Sequence, residues 1–83
     1  MGRVTLYTLR GCGYCIRAKQ LLDARRIAYT DYDVTSDGAE RARVKSLTGH
    51  LTFPQVFIDD RFVGGCDELH ALERGGGLDS LLT

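Results

Sequence analysis

Between Val4 and Val34 the apolar pattern changes from strand to helix and back to strand, and two cysteines, Cys12 and Cys15, stand at the first change. Val4, Leu6 and Tyr7 give a short strand, and Ile16 to Arg26 then takes helical spacing with Cys15, Ala18 and Leu22 on one stripe. Ile27 to Val34 returns to a strand. A βαβ unit this short leaves little choice of topology: its strands lie parallel and its crossover is right-handed. The stripe turns Cys15 inward and leaves Cys12 at the helix tip.

Downstream, Asp37 with Glu40 three residues on is a capping pattern. It opens a helix that carries Val44 and Leu47 inward and stops at Gly49. Gln55 to Ile58 and Arg61 to Val63 read as two strands of a hairpin closed by Asp59-Asp60. Gly64-Gly65 ends the second strand, a helix with Leu69 and Leu72 on one face follows, and Gly75 to Gly77 separates it from a last turn of Leu78, Leu81 and Leu82. The order predicts the α/β class, a small mixed sheet with helices on both faces. At 83 residues, 43% of them apolar, residues 1–83 read as one domain around one core.

Eleven basic side chains balance eleven acidic ones, which argues against a general footprint for nucleic acid or an anionic membrane. The start, Met1-Gly2-Arg3-Val4-Thr5-Leu6, lacks the apolar run of a signal peptide, so the expected compartment is the cytoplasm. Three cysteines with one close pair do not make a secreted disulfide framework. These thiols therefore read as reactive.

A thiolate, not a thiol, attacks disulfides, and the first turn of a helix favours negative charge. Thiols so placed have pKa values of roughly 3.5–7.5 against about 8.5 for free cysteine. The larger benefit is on departure: a low-pKa thiol leaves readily, so a mixed disulfide at Cys12 is quickly resolved by the next thiol. A zinc half-site and a pair of buried structural cysteines are the alternatives. Zinc would need two more ligands, for which Cys66, His50 and His70 are available, but none forms a second pair at ligand spacing. His50 and His70 read as surface residues and Cys66 as a small residue filling a tight turn. Thr52-Phe53-Pro54 allows a cis turn or an ordinary strand start. In Gly64-Gly65-Cys66-Asp67 either Asp67 caps the next helix, or the helix start is open to a carboxylate with Asp67 accepting from an ammonium group.

In this order and spacing, Cys12-Gly13-Tyr14-Cys15, Thr52-Phe53-Pro54 and Gly64-Gly65-Cys66-Asp67-Glu68-Leu69 resemble the glutaredoxins. Gly76-Gly77-Leu78-Asp79 is similar to the ending of the small bacterial dithiol members. The resemblance covers essentially the whole chain, and the glycine-glycine-x-aspartate segment sets it apart from thioredoxins. It implies a thioredoxin-like fold, with a four-stranded mixed β-sheet flanked by helices on both faces. The implied function is a glutathione-dependent thiol-disulfide oxidoreductase acting on protein–glutathione mixed disulfides and protein disulfides.

Residue by residue, the resemblance makes Cys12 the nucleophile and Cys15 the resolving thiol. Tyr14 matches the aromatic beside the sulfur. Phe53 matches the residue that pairs its backbone with the cysteine of glutathione, Pro54 in cis holds that edge open, and Thr52 flanks it. Gly65, Cys66 and Asp67 match the segment that takes the γ-glutamyl end, and Arg41 falls where a side chain reaches the glycine carboxylate. Glutathione is then the co-substrate of a monomer. Two positions depart from the pattern: Leu9 stands where a lysine is usual, with Arg10 one place later, and Gly13 stands where many dithiol members have proline. Some relatives with that glycine hold a [2Fe–2S] cluster between two monomers, each joined through its Cys12-type thiolate and a glutathione thiolate. A cluster-carrying dimer, with Cys12 as the protein ligand, is thus the second function implied.

Overall fold

A computed structural model of the chain describes residues 2–82. Strand alternation gives the sheet two unlike faces. Its strands are β1 (Val4–Thr8), β2 (Tyr29–Asp33), β3 (Gln55–Ile58) and β4 (Arg61–Gly64), in the order β2-β1-β3-β4. β1 runs parallel to β2, and β3 is antiparallel to both β1 and β4. On one face Val4, Leu6, Val56 and Ile58 meet Ala18 and Leu22 of α1 (Gly13–Ala24), Leu69 of α3 (Cys66–Arg74) and Leu78 of α4 (Gly77–Leu82). Leu6, Leu22, Leu69 and Leu78 are wholly buried, each contributing about 1.5–3 kcal/mol. On the other face lies α2 (Gly38–Thr48), whose Arg43 and Leu47 border a groove over Tyr7 and Phe57. The fold is thioredoxin-like, as expected.

Local chemistry sets the element ends. α1 starts at Gly13, three residues before the predicted Ile16, because Cys12 itself serves as N-cap. After α1 the chain turns through Arg26 at φ 55°, and the Ile27 N–H donates to the Leu22 carbonyl at 2.9 Å. Ile27 and Ala28 are spent on that turn, so β2 begins at Tyr29 rather than at Ile27. Asp37 caps α2 as predicted, its carboxylate accepting the Glu40 N–H at 3.0 Å, and Gly49 at φ 74° closes the helix. Leu47 corrects the sequence reading: it is 65% exposed, because α2 buries only Val44 and its apolar stripe is one residue wide.

The Asp59-Asp60 loop closes the hairpin with Ile58 opposite Arg61. β4 runs on to Gly64, at φ 134°, where an added Cβ would lie 2.6 Å from Glu68 Cβ, so glycine is required. Gly65, not Asp67, is the N-cap of α3, and its N–H donates to Glu68 Oε1 at 2.7 Å. Among the described residues no helix is long and apolar enough to cross a membrane.

Candidate active site

Cys12 sits between the central strand β1 and the first turn of α1, with φ −89° and ψ 112°. Its Sγ accepts the Cys15 N–H at 3.2 Å, and its thiol donates to the Phe53 carbonyl at 3.7 Å. The two contacts act oppositely on a charged sulfur: the N–H attracts it and the carbonyl repels it. Cys12 is half-buried whereas Cys15 is 1% exposed, packed with Val34 and Phe53 and bordered by Leu9. Burial first, then the hydrogen bond to Cys12, pushes the Cys15 thiol up to about 12. At neutral pH the helix thus presents one reachable sulfur above one that keeps its proton.

From Tyr14 and Phe53 a cleft of about 240 Å³ runs past Thr52 and Pro54 to Gly65, Cys66 and Asp67 at the start of α3. The Phe53–Pro54 bond is cis. Gly65 keeps this wall thin, since a Cβ there would lie 3.2 Å from His50 Nε2 and 3.4 Å from both Glu68 Oε1 and the Pro54 carbonyl. Cys66 is buried, in keeping with a turn-filling role, and burial raises its pKa above the ordinary thiol value.

Two cations expected near the cleft are engaged elsewhere. Arg41 donates to the Val34 carbonyl at 2.8 Å and to the Thr35 carbonyl, and does not line the cleft. Arg10 donates to Ser36 Oγ at 3.2 Å and pairs with Asp33 at 3.5 Å. Hydrogen bonds from Thr35, with the Arg10 charge in support, hold the Asp33 carboxyl below the usual range. Lys45 of α2 instead places its ammonium 5.9 Å from the centre of the Phe53 ring. It follows Arg41 by one helical turn, the one signal that could have pointed to it.

His50 is the other residue that sequence reasoning missed. It and His70 are half-buried rather than on the surface. His50 lines the cleft: Nε2 lies 3.2 Å from Thr52 Oγ1, and its ring centre is 5.5 Å from that of Phe62. Its main chain is held from both sides, the carbonyl accepting from Gln55 Nε2 at 2.6 Å and the N–H donating to Thr48 Oγ1 at 3.1 Å. Its place in the short span from Gly49 to Pro54 was the available clue. Among the described residues no three His, Cys, Asp or Glu side chains are grouped to hold a metal ion.

Thiols this unequal, at the head of the helix that follows a central strand, define a class: thiol-disulfide oxidoreductases of the thioredoxin-like fold. The family model described as glutaredoxin matches residues 4–63. Glutaredoxin 3 of Escherichia coli is 42% identical over 82 residues, covering 99% of both chains. The solution structure of glutaredoxin from Brucella melitensis superposes with a TM-score of 0.88 at 46% identity, over 99% of this chain and 89% of that one. The crystal structure of a buckwheat glutaredoxin–glutathione complex gives a TM-score of 0.91 at 31% identity, over 98% of this chain and 76% of that one. The chain belongs to the glutaredoxin family, and it is an oxidoreductase acting on thiols and disulfides.

Proposed function

We propose that this glutaredoxin is a glutathione-dependent enzyme of the cytoplasm, acting as a monomer on glutathionylated and disulfide-containing proteins, with Cys12 as nucleophile. The observation that carries the reading is the continuity of the half-exposed Cys12 sulfur, through the Phe53 carbonyl, with a cleft that ends at the amide-rich start of α3. A glutathionyl group fits that path: its sulfur at Cys12, its peptide edge along Phe53 beside Thr52 and the Tyr14 ring, and its γ-glutamyl carboxylate at the Gly65–Asp67 segment. The Asp67 carboxylate is then free to accept from the γ-glutamyl ammonium.

In the first step the Cys12 thiolate attacks the glutathionyl sulfur of the mixed disulfide. A Cys12–glutathione disulfide forms and the protein thiolate leaves, taking a proton from water. A second glutathione thiolate then attacks the bound glutathionyl sulfur, releasing oxidised glutathione and restoring Cys12. For protein disulfides, Cys12 attacks one sulfur and the first substrate thiolate leaves; Cys15 then gives up its proton and attacks the Cys12 sulfur, the second substrate thiolate departs, and two glutathiones reduce the resulting Cys12–Cys15 disulfide and leave as oxidised glutathione. Once Cys12 is bonded to another sulfur its charge and its hydrogen bond no longer add to the burial that holds the Cys15 proton, so part of the opposition to Cys15 ionisation is lifted while burial, the largest cause, stays.

Turnover of a glutathionylated peptide by single variants tests this. Cys12→Ser abolishes activity and Cys15→Ser keeps it; full activity in Cys12→Ser would refute the assignment. A second reading, the cluster-carrying dimer, draws on Gly13 and on Cys12 being the one partly exposed thiol of the three. One such sulfur per chain suits a [2Fe–2S] site completed by a second chain and two glutathiones. Anaerobic purification with glutathione separates the two readings: a brown dimer favours the cluster, a colourless active monomer the enzyme.

A further inference from the structure

Beyond Cys66 and Asp67, where the cleft ends, a second and larger hollow of about 570 Å³ lies between α1 and α3. Helical spacing builds it. Arg17 and Gln20 are one turn apart on α1, and Asp67, His70 and Arg74 follow each other at three and four residues on α3. Arg17 and Arg74 are both exposed, and among the described residues neither has a carboxylate partner. The Arg17 guanidinium lies 5.7 Å from the centre of the Tyr14 ring, which keeps it beside the cleft. His70 Nε2 is buried and has no hydrogen-bond partner among the described residues. Two guanidiniums without a carboxylate partner therefore share the groove with one carboxylate, that of Asp67, which stands at the end shared with the cleft, and the His70 ring forms part of the wall.

We infer that this groove binds an acidic side chain of the protein substrate, near the cysteine that carries the disulfide. The charge balance selects an anion, and Asp67 confines it to the part of the groove away from the cleft, between Arg17, His70 and Arg74. A peptide chain is the fitting source of that anion, because Arg17 borders the groove beside the Tyr14 ring, two residues from Cys12, so the chain that bears the disulfide can pass outside that ring into the groove while the glutathionyl group fills the cleft. A guanidinium pairs bidentately with a carboxylate, which gives the contact direction as well as attraction. The inference rests on the enzymatic reading above, and its test includes a binding measurement that does not.

The experiment compares three glutathionylated peptides that differ only in the residues flanking the cysteine, which are acidic, neutral or basic, and adds a small uncharged glutathionylated thiol. For the wild type, kcat/KM is expected to be higher for the acidic than for the basic peptide by about fivefold. That preference should shrink as salt is raised. Arg74→Glu should reverse the preference toward the basic peptide and leave turnover of the small thiol unchanged, with Arg74→Gln removing the preference without reversing it. Equal kcat/KM for the acidic and basic peptides, or a preference untouched in both variants, would overturn the inference. Inactivity on the small thiol would refute the enzymatic reading alone. NMR titration with the acidic peptide in its reduced form needs no turnover: shifts at His70 and Arg74 support the groove, and shifts confined to other surfaces overturn it.

Discussion

At the scale of single residues the site depends on a difference between two thiols of one helical turn. Cys15 is buried and keeps its proton, which gives it a pH signature in stability. Its folded pKa of about 12 lies above the ordinary 9.0, so the native state holds a proton that the unfolded chain gives up. The resulting stabilisation is complete below pH 9.0 and is lost as pH rises towards about 12. Urea unfolding of the wild type and of Cys15→Ala between pH 8 and 11 should show a steeper fall for the wild type; parallel curves would mean that Cys15 ionises as readily in the native state as in the unfolded chain. The inward placement of Cys15 was legible in the sequence because it shares a stripe with Ala18 and Leu22. The Cys12 hydrogen bond to Phe53 was not, since it joins residues 41 positions apart.

At the scale of elements, the start of α1 tolerates more than this sequence uses. Gly13 is the first helical residue, a Cβ there meets nothing within 4 Å, and Cys12 before it has the extended backbone that a following proline requires. Gly13→Pro is expected to stabilise the fold by about 0.4–1 kcal/mol, read as a higher urea midpoint at unchanged slope. A lower midpoint would show that the Gly13 N–H carries a bond the native state needs. Capping at Asp37 and Gly49, the hairpin closure and the βαβ unit were all legible, because each is decided by neighbours within a few residues. Leu47 was misread for the opposite reason. Apolar spacing tells which residues share a helix face but not how much of that face another element covers, and over α2 the cover ends at Val44.

At the scale of the whole molecule the cleft is shaped by residues that carry no chemistry of their own. Gln55 of β3 is fully buried, accepting from Thr48 Oγ1 at 2.7 Å and donating to the His50 carbonyl at 2.6 Å, and it thereby ties the end of α2 to the loop that bears Thr52 and Phe53. Gln55→Leu conserves bulk but takes the amide donor from the His50 carbonyl, while Thr48 Oγ1 keeps the Val44 carbonyl and the His50 N–H, and should cost about 1–3 kcal/mol in urea unfolding. A smaller loss would mean that water replaces the amide. Tertiary packing puts His50 in the cleft, against Phe62 and Gly65, and Lys45 beside it, over Phe53; position along the chain hinted at each residue but could not show these contacts. Arg41 shows the converse: a position carried over from relatives says nothing of the Val34 and Thr35 carbonyls that draw its guanidinium away.

The central claim is that Cys12 carries the glutathionyl group, and trapping that intermediate tests it most directly. The Cys15→Ser variant, incubated with oxidised glutathione, digested without reductant and analysed by mass spectrometry, should carry one glutathionyl group, located on Cys12. A group located on Cys66 with Cys12 unmodified, or no adduct at all, would contradict the account.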